Sequence, residues 1–206
     1  MSRVLLTGAT GRIGMNLIGP LRSRGHEVKA FVLKNDRSKE ALAQRDCELA
    51  EGSFLDGESI EKAMRGCDRV VHLGAVMLRP PNMTESTFWD INATGTFRMV
   101  RTAIDQRVRR FIFASTDATY SALNPRYLPI DEIHPQEPYA LYGTTKVAGE
   151  SIVKGAWKEA GLATTILRYG SVSAGDEILL NWRVRNVMNV LKRTVTHPSS
   201  SAYDAN

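Results

Sequence analysis

The 206-residue sequence has little cysteine: Cys47 and Cys67 are its only two, too few and too dispersed among the four histidines for a disulfide framework or a metal-ligand set. No metal is therefore expected, and a reducing, cytoplasmic compartment is. Long hydrophobic runs are also missing. None reaches the roughly eighteen residues of a membrane span. The chain enters a strand without a basic and apolar leader, so no membrane partner is expected. Nor is charge of one sign concentrated. The 27 Lys and Arg stand against 22 Asp and Glu, and the densest basic group is Arg107, Arg109 and Arg110. No known binding module accompanies them, which argues against nucleic acid as a partner. Repeats and low-complexity segments are absent.

What is present is enough apolar residue, 43% of the chain, for the core of one ordinary domain. The organising stretch is the amino-terminal run to Gly14. Val4, Leu5 and Leu6 form a short apolar strand that stops at Thr7-Gly8, and Ile13, Leu17, Ile18 and Leu21 follow with helical period. Glycines 8, 11 and 14 remove the Cβ atoms that would hold the backbone away from a pyrophosphate, and the N–H groups of the following helix supply donors. A tight turn without a ligand is the alternative. The spacing is G-x-x-G-x-x-G, not the commoner G-x-G-x-x-G.

Strand and helix signals then alternate. Strands are expected at Val28–Leu33, Cys47–Ala50, Arg69–Leu73, Arg110–Ala114 and Thr164–Leu167, with helices over about 38–45, 57–65, 85–106 and 139–160. This order predicts an α/β fold, a doubly wound parallel sheet of Rossmann type with strand order 3-2-1-4-5-6. The irregular segment 117–138 carries Pro125, Pro129, Pro135 and Pro138 and follows a strand's carboxyl end, where such sheets bind ligands. Residues 1–175 read as a dinucleotide-binding domain. Residues 176–206 read as a partial substrate-binding region, helical over 176–193, with a frayed polar tail.

Tyr142 and Lys146 lie four apart near the start of a predicted helix, on one face. A tyrosine can act as acid or base near neutral pH if an ammonium stabilises its phenolate. Thr116, at the end of the fifth strand, could hold a substrate oxygen beside Tyr142, or simply form a strand-terminal turn.

Together these segments resemble the extended short-chain dehydrogenase/reductases, the group of NAD(P)-dependent epimerases and dehydratases, from Arg3 to about Val172. TGATGRIG (7–14) resembles the family's cofactor loop, DRVVHLGA (68–75) its fourth strand and DINATGT (90–96) its helical asparagine segment. FASTDATY (113–120) is similar to its serine/threonine segment and PYALYGTTK (138–146) to its Tyr-x-x-x-Lys signature. The resemblance implies Tyr142 as catalytic acid/base, Lys146 lowering its pKa and binding the nicotinamide ribose, Thr116 where many members have serine, and Asn92 in a proton relay. Cofactor contacts are implied for Gly8, Thr10, Gly11, Arg12, Ile13 and Gly14, for Leu73, Gly74 and Ala75, and for Tyr169.

There are departures from the family pattern. Ser53 stands where an adenine-binding aspartate is expected, leaving a contact from Phe54. Val32 replaces the acidic residue of NAD-preferring members, and Lys34, Arg37 and Arg12 nearby suit a 2′-phosphate, so NADP is expected ahead of NAD. Ala118 follows Thr116-Asp117 where sugar-nucleotide dehydratases carry glutamate. The expected activity is hydride transfer on a small-molecule alcohol or ketone, a nucleotide sugar first, in a homodimer formed through the two long helices. The alternative is an NAD(P)-sensing regulator or binding protein without turnover.

Overall fold

Six parallel strands form one sheet in the order β3-β2-β1-β4-β5-β6, as the alternating pattern predicts. They are β1 (Arg3–Thr7), β2 (Glu27–Val32), β3 (Glu48–Glu51), β4 (Arg69–His72), β5 (Arg110–Thr116) and β6 (Ala163–Tyr169). The computed structural model describes residues 1–121 and 124–172, so the expected helix over 176–193 and the tail lie outside the described residues. Met1–Gly170 form one compact unit.

Both faces of the sheet are covered, which is why its central strands read as nearly unbroken apolar runs. Successive strand side chains point to opposite faces, so Leu5 packs one way and Val4 and Leu6 the other. One core joins Leu5, Phe111 and Phe113 to helices α2 (Gly57–Met64), α4 (Gly95–Asp105) and α5 (Leu141–Ala160). The other joins Val4, Leu6 and Val28 to Ile18 of helix α1 (Arg12–Ser23). Phe111 and Phe113 are fully buried, and truncating a side chain of that size to alanine typically costs about 3–5 kcal/mol.

Local chemistry sets the element ends. Asp56 accepts from the Glu58 N–H at 3.0 Å to open α2. Gly161, at φ +67, closes α5 in the left-handed conformation. The single helix expected over 85–106 is instead three joined pieces: α3 (Glu85–Trp89), a wide π turn over Asp90–Thr94, and α4. Residues 37–42 form a 3-10 turn instead of the longer helix expected there. The sheet's order reverses between β1 and β4, and the loops leaving their carboxyl ends meet there, the place where open α/β sheets take ligands.

Candidate functional site

Gly8 leaves β1 at φ +66, and a Cβ there would lie 2.8 Å from the Gly74 amide nitrogen. A Cβ on Gly14 would meet the Gly8 carbonyl oxygen at 2.3 Å, and one on Gly74 would meet the Phe54 ring at 2.5 Å. The Gly11 N–H donates to the Gly8 carbonyl at 3.0 Å, closing the turn before α1. These approaches leave a cavity of about 360 Å³. Gly8, Thr10 and Gly11 line it from the loop after β1, Ser53 and Phe54 from the loop after β3, and Leu73, Gly74 and Ala75 from the loop after β4. Gly14 is buried behind the turn, and Arg12 and Ile13 open α1. Lys34 and Tyr169 are not among the described residues lining this cavity; Lys34 is exposed and Tyr169 lines a second cavity with Asp117.

An acidic residue stands among the basic ones, between Lys34 and Arg37. Asp36 lines the cavity, accepts from the Thr10 hydroxyl at 2.7 Å through Oδ2 and caps the Ser38 N–H at 2.9 Å through Oδ1. A carboxylate has about four lone-pair sites, so two accepted bonds leave acceptor capacity toward the cavity.

Lys146 is brought to the sheet by α5, its Nζ donating to the Ala114 carbonyl of β5 at 2.8 Å and lying 5.9 Å from the Tyr142 ring centroid. Burial pulls the Lys146 ammonium down to about 8, with the Glu150 charge working the other way. The Tyr142 phenol is pushed up, first by its own burial and then by the Asp117 carboxylate. Burial of Tyr142 works against the lowered pKa that the sequence resemblance implies, and the Lys146 ammonium donates to Ala114. Thr116 donates to Asp117 Oδ1 at 3.1 Å and accepts from the Ala118 N–H at 3.2 Å. A Cβ on Gly143 would sit 2.2 Å from the Ala118 oxygen, so the start of α5 and the Thr116 turn are in direct contact.

Asn92 is 2% exposed and held on three sides. Its Nδ2 donates to the Val76 carbonyl at 2.8 Å and to Thr145 Oγ1 at 3.3 Å, while its Oδ1 accepts from the Val76 N–H at 2.8 Å. That geometry makes it a clamp between the loop after β4 and α5.

Residues 4–200 match the NAD dependent epimerase/dehydratase family. The chain belongs to that family. A ketoreductase of 4-hydroxy-2-methyl-3-oxo-4-farnesyl-3,4-dihydroquinoline-1-oxide from Stigmatella aurantiaca is 32% identical over 85% of this chain and 52% of its own. A UDP-glucose 4-epimerase of Lactobacillus helveticus is 30% identical over 84% and 53%. Among solved structures, a short-chain dehydrogenase/reductase superfamily protein of Agrobacterium tumefaciens with bound NAD superposes with TM-score 0.79 at 30% identity, covering 94% of this chain and 60% of that one. The chain spans about half the length of the curated relatives it matches.

For a member of the NAD dependent epimerase/dehydratase family, the cradle fits its cofactor: glycines stand wherever a Cβ would collide with the loops that meet at the switch point. Sequence reasoning missed Asp36 and Glu150. Glu150 is fully buried and accepts from Ser115 Oγ at 2.6 Å, Gln136 Nε2 at 3.0 Å, Lys154 Nζ at 3.2 Å and Arg168 at 2.8 and 2.7 Å. Burial pushes its carboxyl up, but the bonds from Arg168 and Ser115 and the Arg168 charge override that and hold it at about 2. It ties β5, α5 and β6 together beneath the site. The signal was available: 142, 146 and 150 share one helical face.

Proposed function

We propose that this chain carries the dinucleotide-binding and proton-transfer half of an NAD-dependent oxidoreductase acting on an alcohol or ketone, with a nucleotide sugar ranked first. The observation that carries the reading is the glycine cradle at the switch point with Tyr142 and Lys146 on the adjoining helix face. When bound, the nicotinamide supplies or accepts the hydride. Tyr142 holds the proton exchanged with the substrate oxygen, Thr116 orients that oxygen, and Lys146 binds the ribose and supplies positive charge. Asn92 keeps Val76 and α5 in register, beside the relay role its place in the family pattern suggests.

NAD is proposed ahead of NADP because Asp36 lines the cavity and would repel a 2′-phosphate while accepting from ribose hydroxyls. Arg12 and Ile13 serve through the first turn of α1. Residues 1–175 form the cofactor domain and 176–206 begin the substrate region. A homodimer through α4 and α5 is supported by Phe97, 50% exposed, and Trp157, 58% exposed, on those helices. No helix among the described residues is long and apolar enough to cross a membrane.

The test pairs calorimetric titration with NAD and NADP with turnover assays on alcohols, ketones and nucleotide sugars. Tyr142→Phe should keep NAD affinity within about twofold and lose turnover by at least about a hundredfold. A wild-type chain that binds neither dinucleotide, or a Tyr142→Phe variant that keeps most of kcat, refutes the reading.

A further inference from the structure

We propose that His72 is a positioning residue for the dinucleotide: a neutral imidazole, protonated at Nε2, at the centre of a one-way hydrogen-bond chain that holds both walls of the cavity. This rests on the cofactor reading above and adds the device that shapes the site.

The proton positions follow from counting donors. Thr96 has one hydroxyl hydrogen, given to the Asn92 carbonyl at 2.6 Å. Its oxygen must therefore accept at the 3.0 Å contact with His72 Nε2, so Nε2 carries the hydrogen. Nδ1 is then a lone pair and takes the Thr7 hydroxyl hydrogen at 2.8 Å. The Thr7 oxygen in turn accepts the Gly74 N–H at 3.0 Å. Every member is satisfied, and the chain runs from the Gly74 amide to the Asn92 carbonyl in one direction only. A protonated imidazole would put a second hydrogen against Thr7 and break that direction. Burial, and then the Lys146 charge, lower the His72 pKa to about 3, which keeps the ring neutral.

Both ends of the chain reach the cavity. Gly74 is the backbone that Gly8 approaches, and Asn92 clamps Val76; Gly8, Gly74 and Val76 all line the cavity. The imidazole itself is 1% exposed and touches no ligand space, packed edge-on against Phe54 at 5.1 Å between centroids. A phenylalanine could fill its volume, so packing alone does not require histidine. The bonds do.

The experiment uses the full 206-residue chain. Imidazole nitrogen NMR of the cofactor-free protein at neutral pH should show Nδ1 bare and Nε2 protonated. In NAD titrations, His72→Phe and Thr7→Val should each weaken binding by about tenfold, while Thr7→Ser, which keeps the hydroxyl, should restore most of it. A proton on Nδ1, or His72→Phe and Thr7→Val binding NAD as wild type does, overturns the proposal. If His72→Phe does not fold, Thr7→Val with its serine rescue decides. A wild-type chain that fails to bind NAD overturns both this proposal and the cofactor reading. Normal wild-type binding with unaffected variants overturns this one alone.

Discussion

Glu150→Gln is the sharpest test of how the site is held from beneath. The substitution keeps shape and removes the charge that faces Arg168, whose side chain is 14% exposed while that of Glu150 is fully buried. Removing one partner of a buried ion pair costs about 3–5 kcal/mol. Arg168 still donates to the Glu132 carbonyl at 3.0 Å and contacts the Tyr120 hydroxyl, which argues for the lower end. Linkage gives an independent figure. The carboxyl lies at about 2 in the folded protein against an ordinary 4.5, a difference of roughly 3 kcal/mol. The depressed pKa means this stability is fully present above pH 4.5 and is lost as pH falls toward 2. At neutral pH the variant should therefore melt about 6–12 °C lower, and by pH 3 the gap between variant and wild type should close by more than half. Circular dichroism melts at the two pH values read both. A loss below about 1 kcal/mol at pH 7, or a gap that does not narrow in acid, would refute the reasoning.

Asp36→Asn should weaken NAD by about 1–2 kcal/mol, roughly five- to thirtyfold, and NADP by less, so that the preference narrows; calorimetry with both dinucleotides measures it, and an unchanged ratio counts against Asp36 as the discriminating group. Gly14→Ala sets a Cβ 2.3 Å from the Gly8 carbonyl oxygen and should cost about 1–3 kcal/mol and abolish the thermal shift with NAD. Gly155→Ala, with nothing within 4 Å in α5, should instead gain about 0.5–1 kcal/mol and leave the NAD shift intact.

The fold was legible because a parallel sheet covered on both faces writes itself as apolar runs such as Val4 to Leu6, punctuated by glycine, and the crossover rule then leaves few topologies. The glycine cradle was legible for the same reason: only backbone demands glycine at such spacing. Asp36 was not, because it acts four residues beyond β2, carried into the cavity by a 3-10 turn and its bond to Thr10. Glu150 was hidden because a charged residue on a helix reads as surface until Arg168 is brought against it from β6, eighteen residues away in sequence. The internal chain through His72 depends on Thr7 and Thr96, two hydroxyls whose partners lie on other elements.

The wide turn at Asp90–Thr94 is a matter of phase. A helix that passes through a π turn spends one residue more than an α-helix would, and each residue of an α-helix is worth about 100° of rotation. Phe88 ahead of the turn and Met99 and Val100 behind it are all buried; eleven α-helical steps would bring Phe88 and Met99 to within about 20° of one another, so the extra residue turns the two halves to different buried surroundings, with Met99 and Val100 on the core of Leu5 and Phe111. Deleting any one residue of 90–94 would yield a more regular helix and a worse protein: the pieces on either side would turn by about 100° relative to one another, and Asn92 would leave Val76. The irregular stretch is thus the gear tooth that keeps a core-facing helix and a cavity-facing loop in step.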